Sequence, residues 1–185
     1  MITHPDYILT TPRLGLRRWM TADIPPFARM NQDPAVREYF PNLMTYDESA
    51  ASVRLIERHF DEYCYGLYAI DLLSTGEFIG FCGFSHPGFD AWFTPCVEIG
   101  WRLRKEAWGR GYATEAAQAC LSQGFGTLGL TKVLSFTAAV NTRSERVMQK
   151  IGMMRVGEFE HPGVAMGHVL RPHVLYVTER SEGYE

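Results

Sequence analysis

The run EAWGRGYATEA, residues 106–116, sets Gly109 and Gly111 on either side of Arg110 and passes directly into a helix-forming stretch. A turn of this composition at a helix start is suited to holding an anion. The first N–H groups of a helix lack intrahelical partners, the helix dipole adds partial positive charge there, and glycine lets ligand oxygens reach the main chain. Local charge has the matching sign: from residue 102 to 110, Arg102, Arg104, Lys105 and Arg110 face one acid, Glu106, in a chain of formal net charge -3. A phosphate-bearing ligand is the expectation, approached through Gly109, Gly111 and Ala113. The lysine and Ser/Thr of a Walker-type loop are missing, and so are the three spaced glycines of a dinucleotide fingerprint. Spacing alone leaves a second reading open, in which the glycines only cap a helix and the arginines are solvated.

Other reactive side chains are more scattered. Six histidines include His86 and His161, each followed by Pro-Gly, with His168 and His173 near the second. No pair has HExxH or paired-CxxC spacing, so no metal is expected. Cys64, Cys82, Cys96 and Cys120 form no CxxC pair and follow no secretory leader, which reads as reduced, mostly buried thiols in a cytoplasm.

Periodicity supplies the elements that must position the turn. RLGLRRW (13–19) alternates as a first strand, and Thr21, Asp23, Pro25 and Pro26 mark entry to a short helix through Phe27 to Asn31. Thr45 and Glu48 have capping-box spacing ahead of a helix whose Ala51, Leu55, Ile56, Phe60 and Tyr63 recur at helical intervals. The period then becomes two: YGLYAIDLL, the turn STGE and FIGFCGFS read as a hairpin. CVEIGWRL (96–103) adds a strand with Val97, Ile99, Trp101 and Leu103 on one face and Cys96, Glu98, Gly100 and Arg102 on the other. Ala113, Ala116, Ala117, Cys120, Leu121 and Gly124 make a stripe of small residues on the following helix, which can therefore lie close to a sheet. KVLSFTAAV is a strand, Asn141 caps a helix TRSERVMQKI that Gly152 stops, and Met154–Glu160 and His173–Thr178 are two last strands. The pattern is a mixed sheet with helices on its faces.

Length and composition narrow the function. With 185 residues, 46% of them hydrophobic, residues 1–185 fit one domain with its own core. The acidic balance argues against a non-specific nucleic-acid binder, and no apolar run approaches a membrane span. A soluble, cytoplasmic protein is expected.

VEIGWRLRKEAWGRGYATEAA resembles the cofactor-binding segment of GNAT-superfamily acetyltransferases, whose pattern is Gln/Arg-x-x-Gly-x-Gly/Ala. NTRSERVMQKIGM resembles the segment that follows it there, and LTTPRLGLRRWMTADIPPFARM resembles the start of the RimJ/RimL-like branch, the ribosomal-protein N-terminal acetyltransferases. The resemblance implies an acyl-CoA N-acyltransferase fold: α/β of the α+β type, with a mixed, mostly antiparallel central sheet and helices on both faces. It implies an N-acetyltransferase that takes acetyl-CoA as co-substrate and a primary amine, of a protein N-terminus or a small molecule, as acceptor.

Carried over by position, the backbone of Trp108, Gly109, Arg110, Gly111, Tyr112, Ala113 and Thr114 would hold the pyrophosphate. Trp108 stands where the pattern has Gln or Arg. CVEIGWRL would splay from the next strand, so that main chain at Ile99, Trp101 and Leu103 binds pantetheine and the acetyl carbonyl, with Asn141 beside the pantetheine arm. Glu98 is the implied base and Ser144 the implied acid, since the helical position at which many members place a tyrosine is Met148. The residues alone equally allow a solvated glutamate, an ordinary first-turn hydroxyl and a plain Asn cap. SHPGFDAWF and EHPGVAMGH are candidate acceptor loops, with Phe89, Trp92 and Phe93 shaping a pocket, or else simple Pro-Gly turns. An α-amine, with pKa near 7.7 to 8.0, needs less help from a base than a lysine-like amine near 10.4. The alternatives are a non-catalytic acyl-CoA-responsive binding protein and a phosphate-binding domain unrelated to coenzyme A. Exposed strand edges are compatible with a homodimer.

Overall fold

A computed structural model describes residues 6–180; the first five residues, part of the stretch read for a leader, lie outside it. Eight strands form one sheet in the order β1-β2-β3-β4-β5-β6-β8-β7, antiparallel except where β5 meets β6. The strands are β1 (Leu9–Thr10), β2 (Leu14–Arg17), β3 (Leu67–Leu72), β4 (Glu77–Ser85), β5 (Glu98–Leu103), β6 (Lys132–Ala138), β7 (Met154–Glu160) and β8 (Pro172–Glu179). Four α-helices join them: α1 (Ile24–Gln32), α2 (Tyr46–Tyr63), α3 (Tyr112–Gly126) and α4 (Thr142–Lys150). The expected order of elements is present, with the two-residue β1 added at the edge.

Register decides what each face of the sheet carries. Across β4 and β5, Phe81 pairs with Arg102, Gly83 with Gly100 and Ser85 with Glu98, so these six residues share one face. Cys82, Phe84, Trp101 and Ile99 share the other. The second face receives α3. Its Ala116, Ala117 and Cys120 are fully buried, and a Cβ on Gly124 would stand 2.7 Å from the Phe84 ring. The stripe of small residues thus sets how closely this helix approaches the strands, and α3 in turn fixes the glycine turn at its own N-terminus. The first face receives α1, whose Phe27 packs against Phe81 and Trp19.

Thr45 and Glu48 form the expected capping box: the Glu48 N–H donates to Thr45 Oγ1 and the Thr45 N–H to Glu48 Oε2. The buried stripe of α2 differs from the expectation. Ser49, Ala50, Val53 and Phe60 are buried, while Leu55 is 57% exposed and Tyr63 also faces outward. A polar contact sets this rotation: fully buried Asn31 of α1 donates from Nδ2 to Ser49 Oγ at 3.1 Å, and Ser49 donates on to the Thr45 carbonyl. A count of apolar residues undervalues Ser49 because it scores serine as a surface residue. The cysteines are free; Cys82 and Cys120 are buried, Cys96 is half-buried and Cys64 is exposed.

Candidate active site

The parallel contact of β5 with β6 is where the sheet opens. One residue pair, Glu98 with Leu134, carries the register. The bonds at that point include the Leu134 N–H donating to the Val97 carbonyl and the Ser135 hydroxyl donating to the Ile99 carbonyl, each at 2.9 Å. Past it the strands diverge. A cavity of about 710 Å³ fills the wedge, a size in the range of small-molecule sites. Because the wedge passes between two strands, residues from both faces of the sheet line one continuous space.

At the α3 end lies the glycine turn. Gly109 and Gly111 have φ of +72° and +80°, and Gly111 is the N-cap of α3. A Cβ at Gly111 would meet only Arg13 Nη2, at 3.5 Å, so the left-handed backbone, and not crowding, asks for glycine there. The first helical bond is donated by the Glu115 N–H to the Gly111 carbonyl, and no side chain caps this end. The N–H groups of Tyr112, Ala113 and Thr114 therefore have no helical acceptor, and all three residues line the cavity. Free donors, open space and a dipole of the right sign fit the diphosphate of a coenzyme A thioester.

The turn is braced by Arg13, which the sequence reading did not single out. Its Nη1 donates to the Arg110 carbonyl at 2.9 Å, while its Nε and Nη2 hold Glu115, which also accepts from Thr11. The carboxylate in the first turn of α3 is thereby neutralised by groups that do not line the cavity. Nothing in the spacing around Arg13 marks it, since its partners lie about a hundred positions along the chain. Gly111→Ala is expected to raise the Kd for coenzyme A about tenfold, because alanine pays roughly 1–2 kcal/mol to hold this φ and the turn relaxes instead. Calorimetric titration checks it, and an unchanged Kd would show that these amides do not face the cofactor.

Two of the four cations counted near the turn, Arg102 and Arg104, are engaged elsewhere. Arg102 is on the opposite face of the sheet, where its Nη1 donates to Asn31 Oδ1 at 2.9 Å, and Arg104 pairs with Glu77. The cations that do line the cavity on the α3 side come from α4: Arg143, Arg146 and Lys150. Arg143 also lies 4.5 Å over the Trp108 ring, and the Trp108 indole N–H donates to the Leu103 carbonyl. Trp108 is thus a wall whose one polar donor is engaged within the protein.

Of the residues named from the sequence, Glu98, Trp101, Leu103, Trp108, Gly109, Gly111, Tyr112, Ala113, Thr114, Asn141 and Ser144 line this one cavity. Ile99 and Arg110 do not. Ile99 is fully buried, with its carbonyl accepting from Ser135, and Arg110 is exposed. Asn141 caps α4, its Oδ1 accepting from the Ser144 N–H at 3.2 Å and its Nδ2 donating to Thr137. Met148 is fully buried in the core.

Glu98 occupies the other end of the wedge. Its carboxyl accepts from the Ser85 hydroxyl at 3.4 Å, and its Oε1 lies 3.8 Å from where a Gly100 Cβ would be. Burial pushes the carboxyl up to about 8, with the Ser85 bond acting weakly the other way. Beyond it the wall is formed by Phe136, His161, Gly163, Val164 and His173. Burial holds both imidazoles below their usual range, and their rings lie 4.8 Å apart. Phe89, Trp92 and Phe93 are not at the cavity surface. Phe89 and Phe93 pack on Phe136 and Phe159, backing the wall from outside, and Trp92 is 69% exposed. Among the described residues no group of three or more His, Cys, Asp or Glu is arranged to hold a metal, and no helix is long and apolar enough to cross a membrane.

The model of the acetyltransferase (GNAT) domain matches residues 13–154, which contain the wedge, the turn and α4. The chain belongs to the GNAT acetyltransferase family. An uncharacterized N-acetyltransferase, YnaD of Bacillus subtilis (strain 168), is 31% identical over 154 residues, covering 82% of this chain and 85% of its own. Among solved structures, an acetyltransferase from Agrobacterium tumefaciens str. C58 superposes with a TM-score of 0.76 at 27% identity, over 92% of this chain and 93% of its own. The ribosomal L7/L12 alpha-N-protein acetyltransferase RimL, solved in complex with coenzyme A, shares the fold with a TM-score of 0.76 at 14% identity, over 94% and 98% of the two chains. As a GNAT member the chain is an acetyl-CoA-dependent acyltransferase. Its mixed α/β sheet is the acyl-CoA N-acyltransferase architecture.

Proposed function

We propose that this GNAT chain, acting as one domain over residues 1–185, transfers an acetyl group from acetyl-CoA to a primary amine by direct attack, with Glu98 as base and Ser144 as acid. One observation carries the reading: a single cavity through the β5–β6 wedge joins the orphan N–H groups of α3 to a carboxyl whose proton affinity is tuned close to neutrality. Bound acetyl-CoA supplies a thioester carbon open to a nucleophile.

This chain's residues do the rest. The α3 turn anchors the diphosphate, and Asn141 lies beside the arm that follows the wedge. Glu98, in its ionised form, takes the proton that the amine nitrogen loses as the C–N bond forms. Ser144 acts on the leaving group by donating a hydrogen bond from its hydroxyl to the sulfur as the C–S bond breaks, and the thiolate so released takes its proton from solvent. A base with pKa about 8 has both a usable ionised fraction and enough basicity for this transfer.

Ser144→Ala is expected to lower kcat about tenfold for acceptors of low basicity, with KM for acetyl-CoA unchanged, because only the departing sulfur loses a hydrogen-bond donor. Steady-state kinetics across pH 6–9 checks this; equal rates throughout would remove the acid role. The reading as a whole is tested by thiol release from acetyl-CoA against a mixed panel of peptides and small amines. Thiol release that no amine accelerates would overturn it.

A further inference from the structure

Arg102 lines the cavity on the Glu98 face of β5 and has no counter-ion among the described residues. It shares its face of β5 with Glu98, separated by Gly100, whose missing side chain leaves the floor between them open. The residue is half-buried, with Phe40 4.2 Å from Cζ on one side and Phe81 5.3 Å away. Nη1 donates to the amide oxygen of Asn31, and Asn31 is itself oriented by donating to Ser49. Nε is buried without any hydrogen-bond partner. Among the described residues no carboxylate forms an ion pair with it. The charged neighbour is a second cation, Arg37, whose guanidinium lies 4.2 Å from the same Phe40 ring. Burial, followed by Arg37, lowers the proton affinity of Arg102 to about 9.

Charges partly withdrawn from water are ordinarily paired, because lost hydration is costly unless an opposite charge replaces it. Here the replacement is an amide oxygen, two aromatic rings and a like charge. The arrangement is also preorganised, since a chain of hydrogen bonds from Thr45 through Ser49 and Asn31 fixes the guanidinium before any ligand arrives. A planar, forked donor of this kind matches a carboxylate.

We infer that Arg102 is an anion-recognition residue for the acceptor, so that the preferred substrates are small amines that also carry a carboxylate. This rests on the acetyl-transfer reading, with the amine at Glu98 and the carboxylate toward Arg102. Four residues of extended strand separate the two Cα atoms by roughly 13 Å, and the side chains span part of that distance, so amino carboxylates of different length are discriminated. A polyamine would bring a second cation toward Arg102 and Arg37, and it is disfavoured.

The experiment compares L-amino acids with their carboxamides, and ω-amino carboxylates of increasing chain length with the matching alkylamines, with rates taken per neutral amine. Short peptides with a glutamate in second position, against glutamine, form a separate arm that distinguishes a peptide carboxylate from a free amino acid. Wild-type protein is expected to prefer the carboxylate member in kcat/KM by about 10- to 100-fold. Arg102→Met should abolish the preference without changing the Kd for coenzyme A, and Arg102→Lys should retain part of it. Binding is read independently as the rise in Tm produced by the same carboxylates in the presence of coenzyme A, present in wild type and absent in Arg102→Met. Equal kcat/KM for carboxylate and carboxamide in wild type, or a preference that survives in Arg102→Met, overturns the assignment and leaves acetyl transfer standing. Should no amine accelerate thiol release, the acetyl-transfer reading falls, and the Tm comparison alone decides for or against the anion site. If Arg102→Met does not fold, Arg102→Lys and the wild-type comparison still decide it.

Discussion

Glu98→Gln is expected to lower kcat for amine acetylation by about 10²–10³ while leaving the Kd for coenzyme A within error of wild type. Glutamine keeps the size of the side chain and, through its amide oxygen, an acceptor for the Ser85 hydroxyl, but it cannot take a proton. The pH profile separates this from a packing defect. With the carboxyl raised to about 8, wild-type kcat/KM climbs as pH approaches 8 and then levels. An acceptor amine that is already neutral across the range isolates this ionisation from its own, and with it the variant should show a flat profile. Stability moves in the opposite sense to activity. Because the folded state binds this proton more tightly than the unfolded chain, stability falls as pH rises from about 4.3 to about 8 and changes no further from this group above that. The variant lacks that penalty, so its Tm should exceed wild type at pH 9 and converge with it toward pH 4. Wild-type turnover in the variant, or parallel pH profiles, would remove Glu98 from the chemistry.

The residues around the glycine turn were readable from sequence because their work is local. A left-handed glycine, a helix start and a strand of period two are each written within a few neighbouring residues, and the alternation that put Glu98 opposite Ile99 and Leu103 follows from the pleat alone. What could not be read depends on partners far along the chain. Arg102 counts as a phosphate-side cation in any tally of charge near Gly109, yet it lies on the same strand face as Glu98 and is turned toward α1. Ser49 looks like a surface serine until Asn31 is known to donate to it. Phe89 and Phe93 look like pocket residues on loop placement, whereas their rings back Phe136 and Phe159, and the cavity side of that wall belongs to His161 and His173. Periodicity assigns faces; it does not say which polar groups meet across them.

Arg17 shows the same limit with a larger energy attached, and Arg17→Met is expected to destabilise the protein by about 3–5 kcal/mol, on the order of 10 °C in Tm. In RLGLRRW this arginine reads as the polar half of an alternating strand, yet it is 4% exposed and closes a buried cluster. Its guanidinium reaches both oxygens of Asp71 on β3, at 2.7 and 2.8 Å, and both oxygens of Asp23 in the turn before α1, at 2.6 and 2.9 Å. Methionine fills similar volume, so the loss comes from two buried carboxylates left without a cation. Adding Asp71→Asn to the variant should recover part of the stability, which a cavity would not allow. The defect also has a direction within the site. Asp23 immediately precedes α1, and α1 carries Asn31 and leads into Val36 and Phe40 on the acceptor wall, while α3 and the glycine turn are held separately through Arg13 and Glu115. Below its lowered Tm, Arg17→Met should therefore show a raised KM for the amine with the Kd for coenzyme A little changed. Thermal unfolding together with the two binding constants measures this, and equal weakening of both ligands would mean that the halves of the wedge are not independently supported.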